Sequence, residues 1–348
     1  MLRSTPIVLL FVAGLAAAEP RRLAIVVGNN AGSGELPPLR YAESDAGKFA
    51  RVMAELGSVA TEDVVLLQGR HGDDLERAFA SVRETVRAEK PRGTVLFFYF
   101  SGHSDGESLE IGPDRLSYVQ LRALLEGTGA DARVAVVDAC KSGAGLRAKG
   151  GKATEAFTLQ LHDELQARGE VFISSASDVE VAHESREVMG GLFTHHLLSG
   201  LRGAADANND KSITLFEAYR YAYERTLYAT GLITPTGGQH AAFDYRLSGR
   251  GELTLTSLSA PPARLEVPAG VQRVMVRDLA RDQIVAELGS NPTSRELALA
   301  PGRYALHVTK DGQTRNARFT LTAGGAWRPE FNDLPAPGPV LQSASRLK

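Results

Sequence analysis

Short apolar runs alternate with amphipathic segments along the first 250 residues, and this pattern restricts the fold more than any other feature. The apolar runs are the expected strands, at residues 23–28, 63–68, 94–100, 133–138, 170–175 and 241–247. The segments between them have helical spacing and are the expected helices, at residues 41–56, 73–89, 117–125, 154–168, 191–203 and 215–229. Such alternation is typical of a mostly parallel sheet flanked by helices. We therefore predict an α/β domain over residues 19–255, with its site beyond the carboxyl ends of the strands.

The pattern changes after this domain. Residues 256–263 contain two adjacent prolines and are interpreted as a linker. Residues 264–332 contain short β-type runs separated by Pro-Gly, Asp-Gly and Gly-Gly turns, which predicts a small β-sandwich-like accessory domain. It loosely resembles the accessory domains of exported proteins, and its ligand is unknown. The tail, residues 333–348, has three prolines and is expected to be disordered.

The first eighteen residues have the layout of a cleavable signal peptide. Arg3 provides a short positive region, residues 7–15 an apolar core, and three alanines precede Glu19. The apolar run is shorter than the roughly 20 residues that span a bilayer. We expect the mature protein to begin near Glu19, to be periplasmic or secreted, and to have no membrane anchor once the signal is removed.

Charge and cysteine content narrow the partners and the chemistry. The formal net charge of −2 gives no reason to expect nucleic acid or an anionic membrane as a partner. Cys140 is the only cysteine, so an intramolecular disulfide is impossible. A lone thiol in an oxidising compartment is open to oxidation, so its presence there indicates that it has a function.

A histidine and this cysteine follow two of the predicted strands. The strand at 94–100 continues into Ser101, Gly102 and His103, and the strand at 133–138 continues into Ala139 and Cys140. Because adjacent parallel strands end at the same edge, the two side chains should lie within reach of each other. An imidazole can take the thiol proton, and the resulting thiolate is a nucleophile.

At these strand ends the sequence resembles the caspase and metacaspase cysteine peptidases. Their signature is Ser-Gly-His-Gly after one strand and Asp-Ala/Ser-Cys-x-Ser-Gly after a second. The present chain has Ser101-Gly102-His103 and, from 138 to 143, Asp-Ala-Cys-Lys-Ser-Gly. The resemblance extends from residue 22 to about residue 247. It implies an endopeptidase that acts on protein or peptide substrates through a His103–Cys140 dyad and needs no cofactor for the chemistry.

The chain departs from the signature at one position. Ser104 stands where the family has the glycine whose backbone N–H, with that of Cys140, forms the oxyanion hole. A serine provides the same donor unless the position requires a positive φ. This departure leaves open a catalytically silent relative that serves as a scaffold or binding protein.

The same stretch permits a serine hydrolase. Residues 102–106 match Gly-x-Ser-x-Gly, the nucleophile elbow, with Ser104 as the nucleophile. That motif requires a helix directly after the serine. Residues 107–113 instead alternate between polar and apolar side chains and end in Gly-Pro, which interrupts regular structure. This hypothesis is weaker than the cysteine peptidase.

The resemblance also implies a substrate pocket. In metacaspase-like members, acidic side chains line the pocket for the residue before the scissile bond, and the matching positions are Asp45 and Asp138, with Ser101 as a further pocket position. Two carboxylates favour Arg or Lys, and Arg by bidentate geometry. Caspases proper select Asp through arginines, for which Arg40 or Arg22 would be the candidates. An exposed helical charge is the alternative for Asp45.

Residues 206–217 have the spacing of an EF-hand loop. Oxygen-bearing side chains recur along the loop and would supply the metal ligands: Asp206, Asn208, Asp210, Ser212 and Glu217. This pattern wraps a chain around Ca²⁺ and ends in a bidentate carboxylate. The sixth position is usually glycine and is Lys211 here. The alternative is an acidic capped turn at the start of a helix.

The segment after the cysteine, residues 141–154, is rich in glycine and alanine and contains three basic residues, Arg147, Lys149 and Lys152. Such a stretch is expected to be exposed and open to proteolysis. In the caspase family the corresponding segment is often cut during maturation. We therefore expect self-cleavage after Arg147, Lys149 or Lys152 if the enzyme prefers basic residues. The alternative is that these residues only solvate the loop.

Overall fold

The computed structural model describes residues 19–32, 36–89, 93–140, 168–177, 180–232, 238–248, 252–291 and 293–336. The strands of its α/β part are β1 (Arg21–Gly28), β2 (Val64–Gln68), β3 (Thr94–Ser101), β4 (Ser108–Ile111), β5 (Asp114–Ser117), β6 (Ala132–Asp138), β7 (Arg168–Ser174), β8 (Glu184–Ser185), β9 (Gly190–Gly191), β10 (Ser212–Thr214) and β11 (Ala242–Ser248). The helices are α1 (Ala42–Leu56), α2 (Gly72–Glu89), α3 (Tyr118–Gly127), α4 (Leu192–Ser199) and α5 (Leu215–Gly231).

A six-stranded sheet forms the centre of this part, in the order β11-β7-β6-β3-β1-β2. Its strands are parallel except β11, which is antiparallel to β7. Every residue of β3 is buried, because helices cover both faces of the sheet. Phe49, Phe193 and Tyr219 belong to the core on one face, and Phe79 and Leu121 to the core on the other. The predicted fold class is confirmed.

Some predicted elements differ from the structure. Residues 154–167 of one expected helix lie outside the described residues, and its last residue, Arg168, belongs to β7, where it pairs with Ser248. The expected helix at 191–203 consists of α4 followed by a π-turn, Gly200–Ala204. Gly203 has a φ of 120°, and a Cβ there would lie 2.0 Å from the carbonyl oxygen of Glu296. The helix therefore changes form where a strand of the accessory domain passes it closely.

The carboxyl-terminal part contains eight strands: β12 (Thr254–Ser257), β13 (Ala263–Val267), β14 (Arg273–Asp278), β15 (Gln283–Leu288), β16 (Arg295–Leu299), β17 (Gly302–Lys310), β18 (Gln313–Leu321) and β19 (Ala326–Trp327). Sheets of the order β16-β13-β19 and β15-β14-β17-β18 enclose one apolar core. This is the predicted sandwich-like arrangement. Residues 256–263, expected as a linker, are packed: β12 pairs with β10, and Leu258 is buried. Residues 333–336, expected to be part of a disordered tail, are ordered: Leu334 is buried in the core of this domain, and the Asn316 N–H donates to the Pro335 carbonyl at 3.1 Å. The tail from 337 onwards lies outside the described residues.

Polar contacts join the accessory domain to the α/β part. The backbone N–H of Glu287 in β15 donates to Ser199 Oγ at 3.0 Å, and the Tyr221 hydroxyl donates to the Glu287 carbonyl at 2.8 Å. The buried Glu287 carboxylate contacts His195, Arg225 and Arg273 at 2.9–3.2 Å. The two parts therefore share a buried interface. Among the described residues, no helix has the length and apolarity needed to cross a membrane.

Candidate active site

His103 and Cys140 follow strands that are paired residue by residue. The Cα of Ser101 at the end of β3 pairs with that of Asp138 at the end of β6, and the Gly102 N–H donates to the Asp138 carbonyl at 3.2 Å. His103 and Cys140 are each two residues beyond this last pair. Adjacent strands lie about 4.8 Å apart, so the register carries the two residues to the same level of the sheet edge.

The His103 ring is closely packed on one side. A Cβ added at Gly32 would lie 2.8 Å from His103 Cδ2 and 3.1 Å from Oε2 of the buried Glu110. Only a glycine permits the chain to pass so near both side chains. His103 Nε2 has no hydrogen-bond partner in the part of the chain that the structure describes. This nitrogen is therefore not committed to a structural bond.

Tyr118 bonds with Ser104 and lies within electrostatic range of Cys140. Its hydroxyl lies 3.0 Å from Ser104 Oγ, and it interacts electrostatically with Cys140, which is half-buried. Burial raises the pKa of Tyr118 to about 12, and Cys140 adds to this rise. The phenol is therefore neutral at physiological pH and acts as a hydrogen-bonding group rather than as a base. No motif in the sequence points to this tyrosine.

The serine-hydrolase geometry is not present at Ser104. Its Oγ bonds with Tyr118 and accepts from the Gly106 N–H at 3.1 Å, and neither partner is a histidine. The next element is the β4–β5 hairpin rather than a helix, because residues 108–117 pair across a two-residue turn.

The backbone of Ser104 suits an oxyanion donor. Ser104 is not among the residues with a positive φ, so a side chain at this position causes no strain. The bridge between Ser104 and Leu109 uses the N–H groups of Asp105 and Glu110. It leaves the Ser104 N–H outside the pairing. The departure from the family's glycine is therefore not an argument for a silent protein.

The structure brings Asp45 and Asp138 together around β9. A Cβ at Gly191 would lie 2.6 Å from Asp138 Oδ2 and 3.4 Å from Asp45 Oδ2. Both residues are buried: Asp45 is 1% exposed and Asp138 is 6% exposed. The alternative of an exposed helical charge is therefore wrong for Asp45. Ser101 is also buried at this edge.

Both carboxylates have internal partners. Asp138 Oδ2 accepts from Thr194 Oγ1 at 2.6 Å. Asp45 accepts from the Gly191 N–H and from Lys48 Nζ, each at 2.7 Å. Burial raises the pKa of Asp45 to about 7, and the Lys48 ammonium opposes this rise. Burial likewise raises the pKa of Asp138, and the hydrogen bonds from Thr194 oppose this rise.

The predicted calcium loop forms a compact turn. Lys211 stands at the usual glycine position and adopts a φ of 67°. Its N–H donates to Asp206 Oδ2 at 3.2 Å, and the Ser212 N–H donates to Asp210 Oδ1 at 2.8 Å. Glu217 bonds back to the N–H and hydroxyl of Thr214, each at 3.0 Å, and caps α5. The capped helix and the turn therefore coexist. The spacing of the oxygen-bearing residues is compatible both with a calcium-binding loop and with a capped turn at the start of α5.

A different cluster, outside this loop, has the spacing of metal ligands. Within the described ranges, one group of three such residues has ligand atoms within 4.8 Å of one another, namely His195, His196 and Glu287. However, Arg225 and Arg273 already bond Glu287 Oε1. Because two guanidinium groups oppose a bound cation, we assign this cluster to the domain interface.

A thiol and an imidazole at neighbouring strand ends of a parallel sheet are the arrangement of a nucleophilic hydrolase. The family model described as "Caspase domain" matches residues 21–226, more than half of the chain. The protein therefore belongs to the caspase-domain family and is a cysteine-type endopeptidase. Caspase-1 from Spodoptera frugiperda is among similar solved structures, at 13% identity and a TM-score of 0.46, covering 66% of this chain and 91% of that one. No curated protein sequence matches the chain.

Proposed function

We propose that the protein hydrolyses peptide bonds through Cys140 and His103. His103 takes the thiol proton, and the Cys140 thiolate attacks the peptide carbonyl. The Ser104 and Cys140 N–H groups stabilise the oxyanion. His103 then protonates the leaving amine, and water hydrolyses the acyl-enzyme with His103 again as base. The register between β3 and β6, with Ser101 opposite Asp138, is the observation that carries this proposal.

We further propose that the enzyme cleaves after Arg or Lys. The support is the buried pair Asp45 and Asp138 at the same strand edge as Cys140. Two carboxylates that share a dry pocket are stabilised by a bound cation. The test is the release of a fluorophore from Arg-, Lys- and Asp-ending peptides, before and after thiol alkylation. Fast, alkylation-sensitive hydrolysis of the Arg and Lys peptides supports the proposal, and preferential cleavage after Asp contradicts it.

Calcium binding at the loop from Asp206 to Glu217 is a third proposal. The support is the left-handed turn at Lys211 and the buried Asp206 Oδ1, which has no hydrogen-bond partner among the described residues. Burial raises the pKa of Asp206 and of Glu217, so a bound cation would favour their charged forms.

We expect titration calorimetry with Ca²⁺ to show one binding site. Thermal unfolding should show a higher melting temperature with Ca²⁺ than without it. Glu217→Gln should weaken this binding about tenfold or more, because the last loop position supplies a bidentate carboxylate. Glu76→Gln, an exposed acid on α2, is the control and should bind as wild type. Equal affinity in Glu217→Gln and wild type would assign these residues to a helix cap alone.

We also propose export of the protein, on the basis of residues 1–18, which lie outside the described residues. Intact-mass analysis of secreted or periplasmic material should give a chain that begins near Glu19. A chain that retains Met1 would instead indicate an anchor. The basic segment with Arg147, Lys149 and Lys152 also lies outside the described residues.

A further inference from the structure

Lys48 lies beside the acidic pair of the proposed pocket. It is one turn after Asp45 on α1, and its Nζ is 2.7 Å from Asp45 Oδ1 and 2.6 Å from the carbonyl oxygen of Met189. The Lys48 side chain is 14% exposed and that of Asp45 is 2% exposed. A buried ion pair of this kind has a fixed geometry, in contrast to a surface pair.

The chain around β9 leaves little room at this pair. A Cβ at Gly190 would lie 2.6 Å from Asp45 Oδ1 and 2.8 Å from Lys48 Nζ. Met189, whose carbonyl Lys48 binds, has a φ of 50°, a conformation that costs energy for a residue other than glycine. The Lys48 bond therefore helps to hold a strained turn against the acidic pair.

The charges at this place are the Lys48 cation and the two carboxylates, and Glu184 of β8 acts on Asp138 as a further negative charge. Besides Lys48, the charged group that acts on Asp45 is Asp138, and neither carboxylate is exposed. Both oxygens of Asp45 are occupied, Oδ1 by Lys48 and Oδ2 by the Gly191 N–H. A basic peptide side chain that enters here finds Asp138, which among the described residues bonds neutral groups such as Thr194, but it meets a like charge at Asp45.

We propose that Lys48 is a specificity-determining residue whose ammonium group occupies, at Asp45, the position of a substrate cation. An entering Arg or Lys side chain must displace Lys48 or accept its repulsion. The inference rests on the proposed cleavage after basic residues. It adds that the Lys48 ammonium group competes with the substrate cation for Asp45. Lys48 thus limits the preference for basic over neutral side chains.

The test compares an Arg-ending fluorogenic peptide with its citrulline-ending analogue, which has nearly the same shape and no charge. Lys48→Met should raise the Arg/citrulline ratio of kcat/KM about tenfold or more, since it removes a like charge. The rise should be largest at alkaline pH, because the pKa of Asp45 is higher without the ammonium group and its carboxyl must ionise to pair with the entering cation. Lys48→Gln keeps an N–H donor for Asp45 and Met189 and should shift the ratio in the same direction. Lys48→Arg keeps the positive charge next to Asp45, and this charge determines the ratio. The ratio in this variant should therefore stay within about threefold of wild type.

Arg51→Met is the matched control, because it removes a cation from the exposed side of the same helix, and its ratio should equal that of wild type. An unchanged or lower ratio in a folded Lys48→Met or Lys48→Gln variant overturns the inference. Loss of folding in both variants, measured by thermal unfolding, also overturns it, because Lys48 would then be a structural residue. If the wild type does not prefer Arg over citrulline at all, the proposed function fails instead.

Discussion

Cys140→Ala and His103→Ala are each expected to abolish peptide cleavage. The first removes the nucleophile, and the second removes the group that takes its proton and later protonates the leaving amine. Loss of a nucleophile or its base in a peptidase reduces kcat by roughly a factor of 10⁶, so both variants should fall to the background rate. Because the two residues act as one unit, the double variant should be no less active than either single one. The measurement is kcat/KM on a fluorogenic Arg-ending peptide.

Ser104→Ala is the control for this pair. It removes the hydroxyl that bonds with Tyr118 and Gly106 but keeps the backbone N–H, so most of the activity should remain. Thermal unfolding of all variants checks that the fold is retained. Activity that survives in Cys140→Ala and is lost in Ser104→Ala would assign the chemistry to the serine.

Asp138→Asn is expected to have the second largest effect. Asp138 is buried and accepts from Thr194, and in the proposed pocket its charge pairs with the substrate cation. Removal of one partner of a buried charge pair costs about 2–5 kcal/mol, so kcat/KM for the Arg peptide should fall about thirtyfold or more. The asparagine keeps the shape and an acceptor for Thr194.

The citrulline peptide separates a pocket effect from damage to the neighbouring Cys140. Its kcat/KM should change much less in Asp138→Asn than that of the Arg peptide. An equal loss on both peptides would show that Asp138 supports the cysteine or the fold rather than the recognition of charge.

The sheet and the strand ends could be predicted from the sequence because they depend on local patterns. The continuous apolar runs of β3 and β6 are long enough to define buried strands, and the motif residues follow them directly. The rule that parallel strands end at one edge then places His103 near Cys140. The register of the two strands agrees with this expectation.

The contacts of the pocket could not be predicted in the same way. The bond between Asp45 and Gly191 joins residues 146 positions apart, and no local pattern indicates that β9 passes between the two carboxylates. The spacing of Asp45 and Lys48 is a recognisable helical ion pair, but such pairs are usually exposed. Its burial depends on the chain around Met189.

Strand β15 could not be predicted from the sequence for a related reason. Five of its six residues are buried, so it lacks the alternation of a strand with one exposed face. Its Glu287 lies inside an interface with α4 and α5, whereas a charged residue usually indicates an exposed position. The sequence therefore suggested a linker and a separate domain, whereas the structure has a shared buried interface.

The most direct test of the central claim is to map the residue that attacks the substrate. A peptidyl-Arg acyloxymethyl ketone, which forms a thioether with an active-site thiol, is incubated with the mature protein, and the modified peptide is identified by tandem mass spectrometry. We expect one adduct, on Cys140, with loss of activity in proportion to labelling and much slower labelling in His103→Ala. Hydrolysis of the Arg peptide that continues in a protein fully labelled at Cys140 would contradict the account.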